Sequence, residues 1–302
     1  MSELDLIEWL KGLSFSKDHV IEGIGDDCAI LKTSKSTLVT TDMLMDGSHF
    51  DCKTHSPEQI GHKCLAVNLS DIASMGGTPT SIFLSLAIPK GTDQAWLKDM
   101  LHGMHSLCQE FGISLAGGDT NSWNGPLAVN ITALGLPPAG GAILRSTANP
   151  GDKIFVTGDL GYSFDSHHHL NFSPRVLEGQ YLAKHFRPTS MIDLSDGLAT
   201  DLRHLLNKSG CGATIDLQKL PIHPLGNKQP SHINIQHALN DGEDFQLCFT
   251  LAPHRASEFL QDKQRPFKAT LIGEITEHSG FFGRDEKNRL SEVESRGYEH
   301  RF

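Results

Sequence analysis

The sequence lacks most of the features that would place it quickly. It has no C-x-x-C pair: six cysteines stand singly at Cys28, Cys52, Cys64, Cys108, Cys211 and Cys248, which argues against a zinc site or a redox dithiol. In a chain of 302 residues they read as reduced, mostly buried cytosolic thiols. No apolar run approaches the ~20 residues of a membrane span, and the acidic start Met1-Ser2-Glu3-Leu4-Asp5 has neither the basic nor the apolar region of a secretory leader. The expected location is the cytoplasm, with no membrane partner. Positive charge is also short, 26 Lys and Arg against 36 Asp and Glu, for a formal net charge of -10. A surface of that sign does not gather nucleic acid by counterion release. Missing too are G-x-x-x-x-G-K-[ST], a G-x-G-x-x-G at a strand-to-helix turn, and H-R-D with D-F-G, which removes the P-loop and protein-kinase solutions. There is no short-period repeat.

What is present is an enzyme-like composition, 38% hydrophobic and 21% charged with 29 glycines, on a length that suits two domains. The clearest break is Pro137-Pro138-Ala139-Gly140-Gly141, which sets the expected boundary between residues 1–137 and 138–302. Before it, a first helix is expected from Ser2 onward, a strand over 36–41 ending at Asp42, and a helix over 59–75. A strand over 81–88, a helix over 96–111 closed by Gly112, a short strand over 114–116 and a strand over 127–136 follow. Beyond the break, strands are expected at 153–157, 191–194 and 245–251, and helices at 176–185 and 198–206. Strands and helices mix in both halves without strict alternation. The fold class is therefore α/β (α+β), each half a sheet covered by helices. The run His167-His168-His169 reads as a solvated loop.

The chemistry lies in carboxylates beside glycines and at the ends of apolar segments: Gly25-Asp26-Asp27, Thr40-Thr41-Asp42, Asn68-Leu69-Ser70-Asp71, Gly117-Gly118-Asp119-Thr120, Asp193-Leu194-Ser195-Asp196-Gly197 and Asp241-Gly242-Glu243-Asp244. Any one of them reads equally well as a turn, because Asp tolerates the left-handed region and bonds its own backbone. Asp46, Asp159 and Asp241 are taken as turn residues, and Asp26 as either a turn cap or a ligand. Several of the others directly follow β-prone segments, where a sheet presents its ligand rim. Gathered there they would repel by several kcal/mol unless cations intervened. Oxygen-only donors favour Mg²⁺, which commonly shares its shell between carboxylates and substrate phosphates. Phosphoryl transfer has that requirement, since its catalysis is mostly positioning and charge neutralisation.

At these stretches the sequence resembles the thiamine-monophosphate kinases, members of the AIR synthetase-like (PurM-like) superfamily. The resemblance is carried by residues 23–28, 40–50, 63–76, 116–120, 192–197 and 242–249, with Gly297-Tyr298 near the end. It implies a two-domain PurM-like fold: an N-terminal mixed sheet with helices that binds ATP and Mg²⁺ and forms a homodimer, and a C-terminal α/β domain. The implied activity is direct, in-line transfer from ATP to thiamine monophosphate, driven by metal and position, with no dedicated catalytic base. Position by position, it implies Asp27, Thr40, Thr41, Asp42, Asp71, Asp119, Asp193 and Asp196 on several Mg²⁺ ions. Gly118, Asp119, Arg145 and Ser195 would meet ATP, and His49, Glu243 and Tyr298 would hold thiamine monophosphate. These types suit the task. An arginine fork fits phosphate oxygens, glycine admits a close backbone, and tyrosine stacks on a cationic ring. After Gly161 the chain departs from the family pattern, and a helix is expected to be shortened or missing. Against superfamily relatives, the chain has neither a reactive cysteine in a glycine-rich N-terminal loop nor a C-terminal cysteine, ending in Arg301-Phe302. A catalytically silent scaffold is the alternative from another class, but it has no reason to keep mutually repelling carboxylates.

Overall fold

The computed structural model describes residues 3–13, 19–22, 30–32 and 36–294. The chain divides into two compact units, Met1–Ile72 with Gly77–Pro137, and Ala73–Gly76 with Pro138–Phe302.

The first unit runs α1 (Glu3–Leu13), β1 (Val20–Glu22), β2 (Ile30–Leu31), β3 (Leu38–Met45), α2 (Pro57–Ser74), β4 (Thr78–Pro89), α3 (Gln94–Phe111), β5 (Ser114–Trp123) and β6 (Ala128–Leu136). Strands β1 and β2 pair with each other, and the other four form a sheet in the order β3-β6-β4-β5. Only β4 and β5 are parallel within that sheet. Helix α3 starts where the Asp93 carboxylate accepts the Trp96 N–H at 3.1 Å and stops at Gly112, whose φ of 67° is the left-handed cap geometry. Its stripe Leu97, Met100, Leu101, Met104 and Leu107 is buried, as are Ile60, Cys64, Leu65 and Leu69 of α2. The two helices touch backbone to backbone. A Cβ on Gly61 would lie 1.7 Å from the Met100 carbonyl oxygen, and one on Gly103 would lie 2.1 Å from that of Glu58.

Strands β3 and β5 are longer than the sequence indicated. β3 pairs with β6 in unbroken register from Leu38↔Gly135 to Met45↔Ala128, so Asp42 sits inside the strand. Gly117, Gly118 and Asp119 likewise pair with Phe83, Leu84 and Ser85 of β4 rather than forming a turn. Pairing with a neighbour on the sheet overrides the local turn preference of Asp and Gly.

The second unit runs β7 (Lys153–Thr157), α4 (His168–Asn171), α5 (Val176–His185), β8 (Ser190–Asp193), α6 (Leu198–Ser209), β9 (Gly212–Asp216), α7 (Ser231–Asn240), β10 (Leu247–Leu251), α8 (Pro253–Gln261), β11 (Ala269–Thr276), β12 (Phe281–Arg284) and β13 (Leu290–Glu292). Its seven-stranded sheet has the order β13-β12-β9-β11-β7-β10-β8. Only β9 and β12 are parallel. The inner strands β7 and β10 and the edge strand β8 are buried almost throughout. One core cluster gathers Ile154, Val156, Ile192, Leu202, Leu205 and Cys248. Phe155, Phe249 and Phe259 meet in another, with ring centroids 5.1–5.5 Å apart. Both units therefore mix helices and sheet, as α/β (α+β) requires.

Two sequence expectations change here. The histidine run is no solvated loop: α4 begins at His168, and His169 is buried with its Nδ1 3.0 Å from the Ser163 carbonyl. Strand β10 starts at Leu247 instead of 245, because Glu243 and Phe245 hold φ values of 62° and 46° that no strand accepts.

Candidate active site

In the first unit, Thr40, Asp42 and Leu44 alternate onto one face of β3, and Leu44 is buried there. Asp42 pairs with Ile131 of β6, itself opposite Leu84 of β4, both buried. Asp71, near the end of α2, faces the same side of the sheet and accepts a hydrogen bond from the Thr40 hydroxyl. Burial, and then the neighbouring Asp71 carboxylate, push the Asp42 carboxyl up to about 6. The sheet and α2 thus hold a half-buried pair of carboxylates that resist being ionised together.

The opposite face of the sheet carries Thr41 and Asp119. Thr41 Oγ1 lies 3.1 Å from Thr132 Oγ1 and accepts from Asn130 Nδ2 at 3.1 Å. Asp119 pairs with Ser85, itself opposite Asn130, and its carboxylate accepts from Asn121 Nδ2 at 2.9 Å. Register therefore puts Asp119 on the face away from Asp42. Gly118 occupies a place where a Cβ would lie 1.8 Å from the Leu84 carbonyl oxygen, so only glycine fits. This face also exposes Val39 and Met43, 63% and 56% accessible.

His49 lies in a tight turn after β3. Its main-chain N–H donates to the Met45 carbonyl at 3.0 Å, while its ring Nδ1 accepts the Met45 N–H at 3.1 Å. A ring whose Nδ1 accepts carries its proton on Nε2 when neutral, which makes Nε2 a donor.

In the second unit, β8 ends at the buried Asp193, and Ser195 and Asp196 lead into Gly197, the N-cap of α6 with φ 98°. Asp201, in the first turn of α6, is buried and accepts the Asp196 N–H at 2.9 Å. Burial, then Asp193, raise its carboxyl to about 8, while the Asp196 N–H and Arg145 pull the other way. Segment 194–197 packs on 242–246: Glu243 N–H donates to the Ser195 carbonyl at 2.7 Å and Phe245 N–H to that of Leu194 at 2.8 Å. These bonds hold Glu243 beside Ser195. Arg145 is exposed.

The structure thus brings together Thr40, Asp42 and Asp71 in one unit, and Asp193, Ser195, Asp196 and Glu243 in the other. Among the described residues no three Asp, Glu, His or Cys side chains form a ready-made metal cage. Asp26, Asp27 and Tyr298 lie outside the described residues. Sequence reasoning missed Asp201; its only signal was an acid one helical turn past Gly197. Asp241, read as a turn residue, follows α7 as its C-cap, and its carboxylate accepts the Tyr162 N–H at 2.7 Å and contacts His237 Nδ1 at 2.8 Å. Beside it the buried Asp244 accepts the Gly161 N–H at 3.0 Å and is held well above the usual carboxylate range by burial. The segment after Gly161 is therefore tied to 241–244 and contains the short helix α4.

The carboxylate sets suit hard cations by donor chemistry: oxygen-only ligands, in part desolvated, with the Asp42 carboxyl raised to about 6 by burial and Asp71. Comparison with known proteins adds an independent line. Residues 25–136 match the model for the AIR synthase related protein N-terminal domain, and residues 171–286 that for the C-terminal domain. The thiamine-monophosphate kinase of Buchnera aphidicola subsp. Schizaphis graminum is 36% identical over 302 aligned positions, 91% of either chain. The crystal structure of thiamine-monophosphate kinase from Stenotrophomonas maltophilia K279a shares the fold at a TM-score of 0.81 and 32% identity, covering 94% of this chain and 96% of that one. AaThiL complexed with AMPPCP and TMP matches at a TM-score of 0.76 and 28% identity, over 99% of this chain and 96% of that one.

Proposed function

The chain belongs to the AIR synthase related family, among its thiamine-monophosphate kinases, and on that premise we propose that it transfers the terminal phosphoryl group of ATP to thiamine monophosphate, yielding thiamine diphosphate and ADP. The observation that carries the reading within this chain is the Asp42–Asp71 pair, in which burial, and then repulsion from Asp71, raise the Asp42 carboxyl to about 6. Such a pair serves a protein that meets cations and phosphates and disfavours one that does not.

Thr40, Asp42 and Asp71 on one face of the sheet and Thr41 on the other are assigned, with Asp27, to Mg²⁺ ions of the first unit, and Asp193 and Asp196 to Mg²⁺ in the second. Bound there, Mg²⁺ neutralises phosphate oxygens. Gly118, whose place beside the Leu84 carbonyl admits no side chain, is assigned to the nucleotide. Asp119, Arg145 and Ser195 are assigned to the same ligand, and Asp119 also to metal. His49 presents Nε2–H to the acceptor, Glu243 a negative charge to its cationic ring, and Tyr298 an aromatic face. The acceptor phosphate is largely dianionic near pH 7, with a second pKa of about 6, so it attacks in line with no side chain taking a proton. The exposed apolar face around Val39 and Met43 supports a homodimer. No helix of the described residues is long and apolar enough to cross a membrane, and we place the enzyme in the cytoplasm.

The test is direct. Purified protein with ATP, MgCl₂ and thiamine monophosphate should form ADP and thiamine diphosphate in equal amounts, and chelation of the metal should stop both. A folded protein that releases no thiamine diphosphate would move the assignment to a silent nucleotide-binding scaffold.

A further inference from the structure

Lys63, on α2, is 1% exposed, among the largest fully buried side chains of the described residues. Lysine is almost never buried so completely unless its ammonium is held. Here Nζ donates to the His49 carbonyl at 2.7 Å. That carbonyl belongs to the turn after β3, where Gly47 N–H donates to the Phe50 carbonyl at 2.8 Å and Cys52 N–H to Asp46 Oδ1 at 2.9 Å. Eight residues further along α2, Asp71 accepts the Thr40 hydroxyl near the start of β3. One helix therefore grips β3 near its first residues through a carboxylate and the turn beyond its last residue through an ammonium.

We propose that Lys63 is a positioning residue for the acceptor: its ammonium fixes the 46–50 turn, and thereby the direction in which His49 presents Nε2–H. The inference rests on the assignment of His49 to thiamine monophosphate. Fixing the ring takes two contacts, the Met45 N–H on Nδ1 and Lys63 on the main-chain oxygen of the same residue. Without the second, the His49 carbonyl loses its anchor to α2, while the turn keeps its internal bonds and the bond from the Asp46 N–H to the Leu127 carbonyl at 2.9 Å. The ammonium touches no reacting atom, so its loss acts on acceptor binding rather than on the chemical step.

The test uses the full chain with Lys63→Met, and Lys63→Gln should the first variant fail to fold, each checked by thermal melting. Amide hydrogen exchange of residues 46–50 should quicken about tenfold or more, while α2 and β3 amides keep wild-type protection. The KM for thiamine monophosphate should rise about tenfold, with kcat within about twofold and the KM for ATP unchanged. His49→Ala should add little in the Lys63→Met background. Unchanged exchange in 46–50, or faster exchange throughout α2 and the sheet, overturns the proposal. So do an unchanged acceptor KM in an active variant and full additivity with His49→Ala. The exchange arm needs no turnover, so a wild-type chain that failed to phosphorylate thiamine monophosphate would sink the kinase assignment while the grip of Lys63 on the turn was judged separately.

Discussion

Replacing Asp42 by Asn should make the metal-free protein more stable while disabling it. Burial and Asp71 lift the Asp42 carboxyl from 3.8 to about 6, and each pKa unit corresponds to about 1.4 kcal/mol, an upper limit of about 3 kcal/mol. Asp42 is only half-buried, so solvent screening reduces this to about 1–2 kcal/mol. The sign follows from proton binding. Between pH 4 and 6 the folded state keeps a proton that the unfolded chain releases, so stability falls as pH rises through that window, and the full cost is present at pH 8. Asn never ionises. Without divalent ions at pH 8, the variant should therefore melt about 2–6 °C higher, and the gain should shrink as pH drops toward 4. All three tryptophans, Trp9, Trp96 and Trp123, lie in the unit that holds Asp42, so their fluorescence follows the right transition. With MgCl₂ the wild type should gain stability and the variant should not, and turnover in the variant should fall at least about 100-fold. A variant that melts lower at pH 8, or whose advantage is the same at pH 5 as at pH 8, would refute the coupled-pair reasoning.

In the second unit, Asp201→Asn keeps an acceptor for the Asp196 N–H and should match or exceed wild-type stability at pH 8 and above. Asp201→Leu strands that donor and should cost about 1–3 kcal/mol, read from urea midpoints. Gly61→Ala forces a Cβ to within 1.7 Å of the Met100 carbonyl oxygen and should cost more than about 2 kcal/mol or abolish soluble expression. Gly12→Ala, in α1 with open space around it, should instead stabilise by about 0.5–1 kcal/mol. Val39→Lys combined with Met43→Lys should leave each chain folded but shift the mass measured by light scattering from dimer to monomer; a wild type that is already monomeric would remove the dimer from the proposal.

Several features were legible before any coordinates. Periodicity placed α3 and α6, since a helix with one buried stripe writes its period into the chain. Residue type and order marked Asp42, Asp71, Asp193 and Asp196, because phosphate and Mg²⁺ chemistry demands oxygen donors whatever the fold around them. The resemblance added His49 and Glu243, whose types alone say little.

Tertiary structure decided what local sequence could not encode. Asp42 and Asp119 each looked like strand-end turns, yet both lie within strands, on opposite faces of one sheet, because pairing with β6 and β4 fixes their register. Nothing local sets Gly61 and Gly103 apart from other helical glycines, yet α2 and α3 touch through them. The burial of Lys63, Asp201 and Asp244 was not legible in the sequence, since burial of a charged side chain depends on what distant segments bring to it. Residue identity fixes which atoms can bind a phosphate or an ion. Where those atoms point, and how much water remains around them, is a property of contacts between segments far apart in the chain.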